Sequence, residues 1–180
     1  MTATKSNPDW LIDFQGRLVR LADPANPERA ALAHLRRGLD SPVYALARVG
    51  WLFATVPHNY GDAALLAAGL FAWGKGQCGH AQGVNFGAAF GAGLSEDAKK
   101  PRERRFVDLV ETDLSDLPQK LRQAVSLLAR DGVGLDWEQL VRDLKHWDHA
   151  DRPVQKRWAQ GFWGRPARAA ATEAVTTAPS

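Results

Sequence analysis

The densest chemistry in this 180-residue chain is a run of cations: Lys99, Lys100, Arg102, Arg104 and Arg105 stand within seven residues, broken only by Pro101 and Glu103. Pro101 suits the first turn of a helix. Cations there oppose the positive end of the helix dipole, so the cluster is locally unfavourable unless an anion such as a phosphate backbone offsets it. A solvated helix start is the plainer reading of the same residues. Lys120, Arg122, Arg130, Arg142 and Lys145 follow, then Arg152, Lys156 and Arg157, and they extend the patch if their faces align.

Other motifs are weaker. Gly69, Gly74 and Lys75 fit most of a phosphate-binding loop, but Gly76 stands where a Ser or Thr hydroxyl would hold magnesium. Gly74, Gly76 and Gly79 have the spacing of a dinucleotide fingerprint without the strand–helix–strand unit that gives it meaning. Cys78 with His80, and His146 with His149, are two distant pairs that read better as packing and polar residues than as zinc ligands. Cys78 as a nucleophile needs an adjacent base, which the sequence does not place. We therefore expect no catalytic residue, no metal and no cofactor. Seven tryptophans invite base stacking, yet Trp10, Trp147 and Trp158 lie on apolar stripes and are expected in the core. Trp51 and Trp73 have no evident place.

Composition bounds the class. The chain is 45% apolar and 24% charged, too apolar for a disordered protein. A net charge of +3 permits nucleic-acid binding without establishing it. Residues 1–98 carry 8 Lys or Arg against 8 Asp or Glu, and residues 99–180 carry 15 against 12, so the surplus lies wholly in the second part. The lone cysteine excludes an intramolecular disulfide and a thiolate-rich zinc site. No apolar run approaches the roughly 18 residues of a membrane span, and MTATKSNPDW lacks the layout of a secretory signal. A cytoplasmic protein with no membrane partner and no small-molecule substrate is expected.

The elements that must carry these residues are helices. Trp10, Leu11, Phe14, Leu18 and Leu21 predict a first helix ending near Ala22. Asn26-Pro27 caps a second that bears Arg29, Arg36 and Arg37, with Gly38 read as the glycine just past its end. Ser41-Pro42 opens a third that Pro57 stops, and Asp62 is read as the cap of a fourth. Seven glycines within 74–93 interrupt the pattern before VNFGAAFGAGL, a small-residue helix able to pack closely on its neighbours. Pro101 starts a helix with Phe106, Leu109 and Val110 inward and Arg102, Arg105 and Asp108 outward. Ser115 and Asp136 cap two more, Gly132 ends the first of these, and a last helix follows Pro153. The expected fold is all-α, roughly eight or nine helices in two packed lobes, 1–98 and a basic 99–164, with a disordered tail at 165–180.

Four stretches, in this order, resemble the CasB family, the small subunit of the type I-E CRISPR complex called Cascade: RAALAHLRRG (29–38), GVNFGAAF (83–90), RERRFVDLVETD (102–113) running into LPQKLRQAVSLLA (117–129), and LDWEQLVRDLKHW (135–147). The resemblance implies a non-enzymatic helical protein that contacts the large and backbone subunits and a second copy of itself. It implies antiviral defence in which a basic surface holds the displaced non-target strand and so stabilises the R-loop formed by crRNA and target DNA. Carried over residue by residue, Arg37, Arg105 and Arg122 match basic positions of that family, with Arg36 and Arg104 beside them. Some basic positions of that family stand here as Gln123 or as acidic residues, and Lys99 and Lys100 are additional. A helical interaction subunit whose cations meet an acidic protein is the alternative.

Overall fold

The computed structural model describes residues 8–164; the tail expected at 165–180 lies outside the described residues. Nine α-helices follow one another among them: α1 (Asp9–Leu21), α2 (Ala31–Gly38), α3 (Pro42–Val49), α4 (Gly61–Trp73), α5 (Phe86–Gly91), α6 (Glu96–Val110), α7 (Leu117–Asp131), α8 (Trp137–Lys145) and α9 (Pro153–Trp163). Among the described residues there is no strand beyond an isolated bridge between His80 and Leu135. The all-α expectation holds. No helix of the described residues is long and apolar enough to cross a membrane.

Segment 61–73 is apolar almost all round, and a helix without a polar face belongs at the centre. Accordingly α4 buries nine of its residues, Leu70 and Phe71 among them, and packs on α2, α7 and α8. On the other side α5 lies against α9, where a side chain on Gly87 would meet the Trp158 carbonyl oxygen at 1.9 Å. This is the close small-residue packing that the sequence suggests, and it lets Phe86 stack on Trp158 with centroids 4.5 Å apart. The glycine-rich connection between α4 and α5 is tied down by the chain before α8: Ala81 N–H donates to the Leu135 carbonyl and Leu135 N–H to that of Gly79. Asp136 serves both, capping α8 through Gln139 N–H and holding Gly83 N–H.

Several helix ends fall where they are read. Ala22 closes α1, Gly132 ends α7 in the left-handed region at φ 65°, and the Asn26 side chain accepts from Glu28 N–H to open a 3₁₀ turn leading into α2. Others shift. Gly38 is the last helical residue of α2 rather than a left-handed cap, and its role is contact: a Cβ there would stand 2.6 Å from that of Ala45 on α3. Asp62 lies in the first turn of α4 and does not cap it. Asp116 rather than Ser115 precedes α7, because the helix begins where Pro118 can occupy a first-turn position at no hydrogen-bond cost.

The largest shift concerns α6. It starts five residues before Pro101, which sits inside the helix. The first turn therefore holds Asp97, a carboxylate that suits the helix dipole. The dipole argument for an anion at the basic run does not survive.

Candidate functional site

Ala33, Arg36 and Arg37 recur at i, i+3 and i+4 and so form one stripe along α2, and Asp40 stands in the turn just past its end. This stripe and Trp73 of α4 line a shallow depression of about 250 Å³. Two glycines explain why an aromatic ring stands there. Gly69, one turn before Trp73, lets α4 approach α2 so closely that a side chain would meet Leu39 at 2.6 Å. Gly74, immediately after, lies against α7, with Val125 only 3.1 Å from where a Cβ would be. Trp73 is thereby set between α2 and α7.

From α7, Arg122 donates to Asp40 at 2.6 Å, closing a link between helices 82 residues apart. Its guanidinium also lies over the Trp73 ring, 5.6 Å from the centroid. The indole N–H donates to Ser126 Oγ at 2.9 Å, and that hydroxyl donates to the Arg122 carbonyl at 2.9 Å. On the other side of the stripe the Arg37 guanidinium lies 4.4 Å from the Tyr44 ring, and Arg48 approaches the same ring at 5.6 Å. The Tyr44 hydroxyl is held by His34 Nδ1 at 3.0 Å. Arg36, Arg37, Arg48 and Arg122 thus surround two aromatic rings with Asp40 as the one carboxylate paired among them. The Nε atoms of Arg36 and Arg122 are shielded from solvent and have no partner. Planar guanidiniums in such number can grip phosphate oxygens in pairs.

The sequence points to Arg36, Arg37 and Arg122 but misses Arg48, Tyr44 and Trp73. A signal existed for the first two, since Arg48 follows Tyr44 by four residues on one helix; Trp73 had none.

The remaining candidate cations are dispersed. Arg102, expected outward, is 5% exposed. Its guanidinium bonds Asp131 at 2.6 Å and lies over Phe90 at 4.7 Å, because its position on α6 faces α5 and α7. Burial pushes the Asp131 carboxyl up, but the hydrogen bonds and charges of Arg102 and Arg130 outweigh it and hold that carboxyl below its ordinary range. Lys99, Lys100, Arg104 and Arg105 are exposed. Lys100 and Arg104 share one stripe of α6 with Glu103, Asp108 and Glu111. Lys120 bonds Asp108. Residues two apart on a helix point about 200° apart, so Lys120 reaching α6 and Arg122 reaching α2 leave those helices on opposite flanks of α7. Arg130 pairs with Asp131, Arg142 donates to Gln139 Oε1 at 3.1 Å, and Lys145 stands 5.9 Å over the Tyr60 ring.

The cysteine and histidine pairs stay apart from this surface. Cys78 is buried, which pushes its thiol up to about 12, so it is protonated at neutral pH and is a poor nucleophile. Among the described residues no group of three His, Cys, Asp or Glu side chains is placed to hold a metal ion. Trp147 and Trp158 are core residues as expected, joined by Trp137; Trp10 is half-buried against Tyr60.

Residues 31–163 match the family described as CRISPR-associated protein Cse2. A curated protein of that description from Thermus thermophilus is 40% identical over 62 residues, 34% of this chain, and the match spans 35% of that protein's length. The solved structure of CasB from Thermus thermophilus is 30% identical with a TM-score of 0.67, covering 86% of this chain and 96% of that one. CasB from Thermobifida fusca, 26% identical, superposes with a TM-score of 0.68 over 85% of this chain and 97% of that chain. A chain of a CRISPR RNA-guided surveillance complex is 25% identical with a TM-score of 0.63, covering 85% and 91% of the two chains.

Proposed function

The chain belongs to the CRISPR-associated protein Cse2 family, and from that premise we propose that it is the small subunit of a Cascade surveillance complex, holding the backbone of the displaced DNA strand. It acts by binding and carries out no catalysis of its own. Its partners are the large and backbone subunits, a second copy of itself and the R-loop. The observation that carries this reading is the convergence of Arg36, Arg37, Arg48 and Arg122 from α2, α3 and α7 on one surface. Opening a duplex against a guide is energetically near balance. A few phosphate contacts on the strand set free are then enough to delay reannealing.

Arginine suits the task because it keeps its charge at any cellular pH and offers two parallel donors to a phosphate. Contacts to backbone alone carry no sequence information, as a subunit that must accept any target requires. The exposed cations of α6, Lys99, Lys100, Arg104 and Arg105, form a secondary surface in this reading.

The test is fluorescence anisotropy with a labelled single strand and a matched duplex across a salt series, for the unaltered protein, Arg37→Ala and Arg122→Ala. A phosphate contact contributes about −0.7 to the log–log salt slope for single strands and about −0.9 for duplex. Each substitution is expected to make the slope shallower by about one such increment. A flat salt dependence, or variants that bind as the unaltered protein does, would overturn the reading and assign these arginines to an acidic protein partner.

A further inference from the structure

We infer that Trp73 is a stacking platform for one unpaired nucleobase, which makes the α2–α7 surface a single-strand site rather than a general polyanion site. This rests on the nucleic-acid reading above and adds the ligand's chemical class to it.

The ring is 37% exposed, whereas Trp137, Trp147 and Trp158 are at 2% or below. Its polar handle is already committed, since the indole N–H donates to Ser126 Oγ. That bond holds the ring's rotation and leaves the indole only a ring face, the one away from Arg122, to offer. Arg122 lies over the ring at 5.6 Å, so the aromatic surface and a cation able to meet a phosphate are presented together. From α2 the same depression is lined by Ala33, the smallest side chain after glycine, with Arg36 and Arg37 one turn further along the helix. The depression is thus lined by an aromatic ring, a small side chain, two guanidiniums and the carboxylate that pairs with Arg122. A nucleotide has the complementary parts: a flat π-face on a linker that carries negative charge. Base stacking on an aromatic side chain tolerates every sequence, because each base has such a face. In a duplex both faces are already covered by neighbouring bases, so only an unpaired strand can use the platform.

The closing experiment compares a labelled oligothymidine with a strand of the same length made of abasic sugar-phosphate, by anisotropy at one salt concentration and then across salt. The unaltered protein is expected to bind oligothymidine about tenfold more tightly than the abasic strand. Trp73→Ala should abolish that ratio and leave the salt slope unchanged, while Trp73→Phe should keep most of the ratio. Circular dichroism checks folding; should the alanine variant unfold, Trp73→Leu, which fills space without a π-face, takes its place and is expected to lose the ratio likewise. Equal affinity of the unaltered protein for the two strands, or a ratio untouched in Trp73→Ala or Trp73→Leu, overturns the stacking inference and leaves the phosphate reading intact. Loss of salt dependence for both strands overturns the phosphate reading itself.

Discussion

Around α2 and α7, four guanidiniums from three helices converge on two aromatic rings and one paired carboxylate. Along α6, two cations share an exposed stripe with three carboxylates, and a third cation is buried in an ion pair. The two regions differ in how helical geometry treats their charge. Consecutive residues on a helix turn about 100° apart, so five cations in seven residues are spread around the whole circumference of α6. Some meet acidic neighbours and Arg102 points into the protein. In the other region the cations are few and far apart in sequence, but tight packing at Gly38, Gly69 and Gly74 brings their helices together. Charge density along a chain is therefore a poor guide to charge density on a surface.

The comparison breaks first at Arg102 if it is wrong. Arg102→Ala removes a charge-assisted bond to Asp131 and the contact with Phe90, and is expected to cost about 2 kcal/mol, lowering Tm by about 4–8 °C. Single-strand affinity of the folded protein should not change. The pH dependence follows from Asp131. Its carboxyl is held below the ordinary range in the folded protein, so its contribution is complete above the unfolded value of about 4 and is lost as pH falls through the lower folded value. The Tm difference between the two proteins should thus be full at pH 7 and shrink below about pH 4. An affinity loss with an unchanged Tm would return Arg102 to the binding surface.

That Arg102 reads as outward shows where the sequence is legible and where it is not. The fold class is legible because apolar spacing, prolines and cap residues each bear on local structure, as at Asn26, Asp136 and Gly132. The α2 and α7 arginines are reached through the family resemblance, and the structure brings Arg36, Arg37 and Arg122 together. The burial of Arg102 is not legible, since it depends on where α6 begins, and Pro101 marks a first turn that the helix does not respect. Trp73 is not legible for a related reason. Its place depends on how closely α4 approaches two other helices, and close approach is a property of pairs of elements that no single segment displays.

A smaller effect sharpens the contrast from the other side. Asp40 is the carboxylate that holds Arg122, and its side chain is 70% exposed. Asp40→Asn frees Arg122 for phosphate and removes a repulsive charge, at a stability cost within about 0.5 kcal/mol for an exposed pair. Single-strand binding is expected to tighten about two- to fivefold, within the range that exposed pairs support. The parallel substitution Glu103→Gln on α6 removes a carboxylate from the rival stripe. If it tightens binding more than Asp40→Asn does, the principal surface is α6 and the ranking of the two regions is reversed.

The smallest expected effect is the most specific. Lys100→Ala combined with Arg104→Ala removes both cations of the exposed α6 stripe, whereas the proposed grip on the strand lies on the opposite flank of α7, where Arg122 meets Asp40. At 0.15 M salt, charges more than about 8 Å from the strand are screened, so the loss in single-strand affinity should be under about twofold. At 0.01 M the screening length grows to about 30 Å, and the same double substitution should then weaken binding several-fold. The Arg37→Ala and Arg122→Ala effects, arising from direct contact, should persist at both salt concentrations. A double variant whose defect is equally large at high salt would mean that Lys100 and Arg104 touch phosphate themselves, and that the strand crosses both flanks of α7.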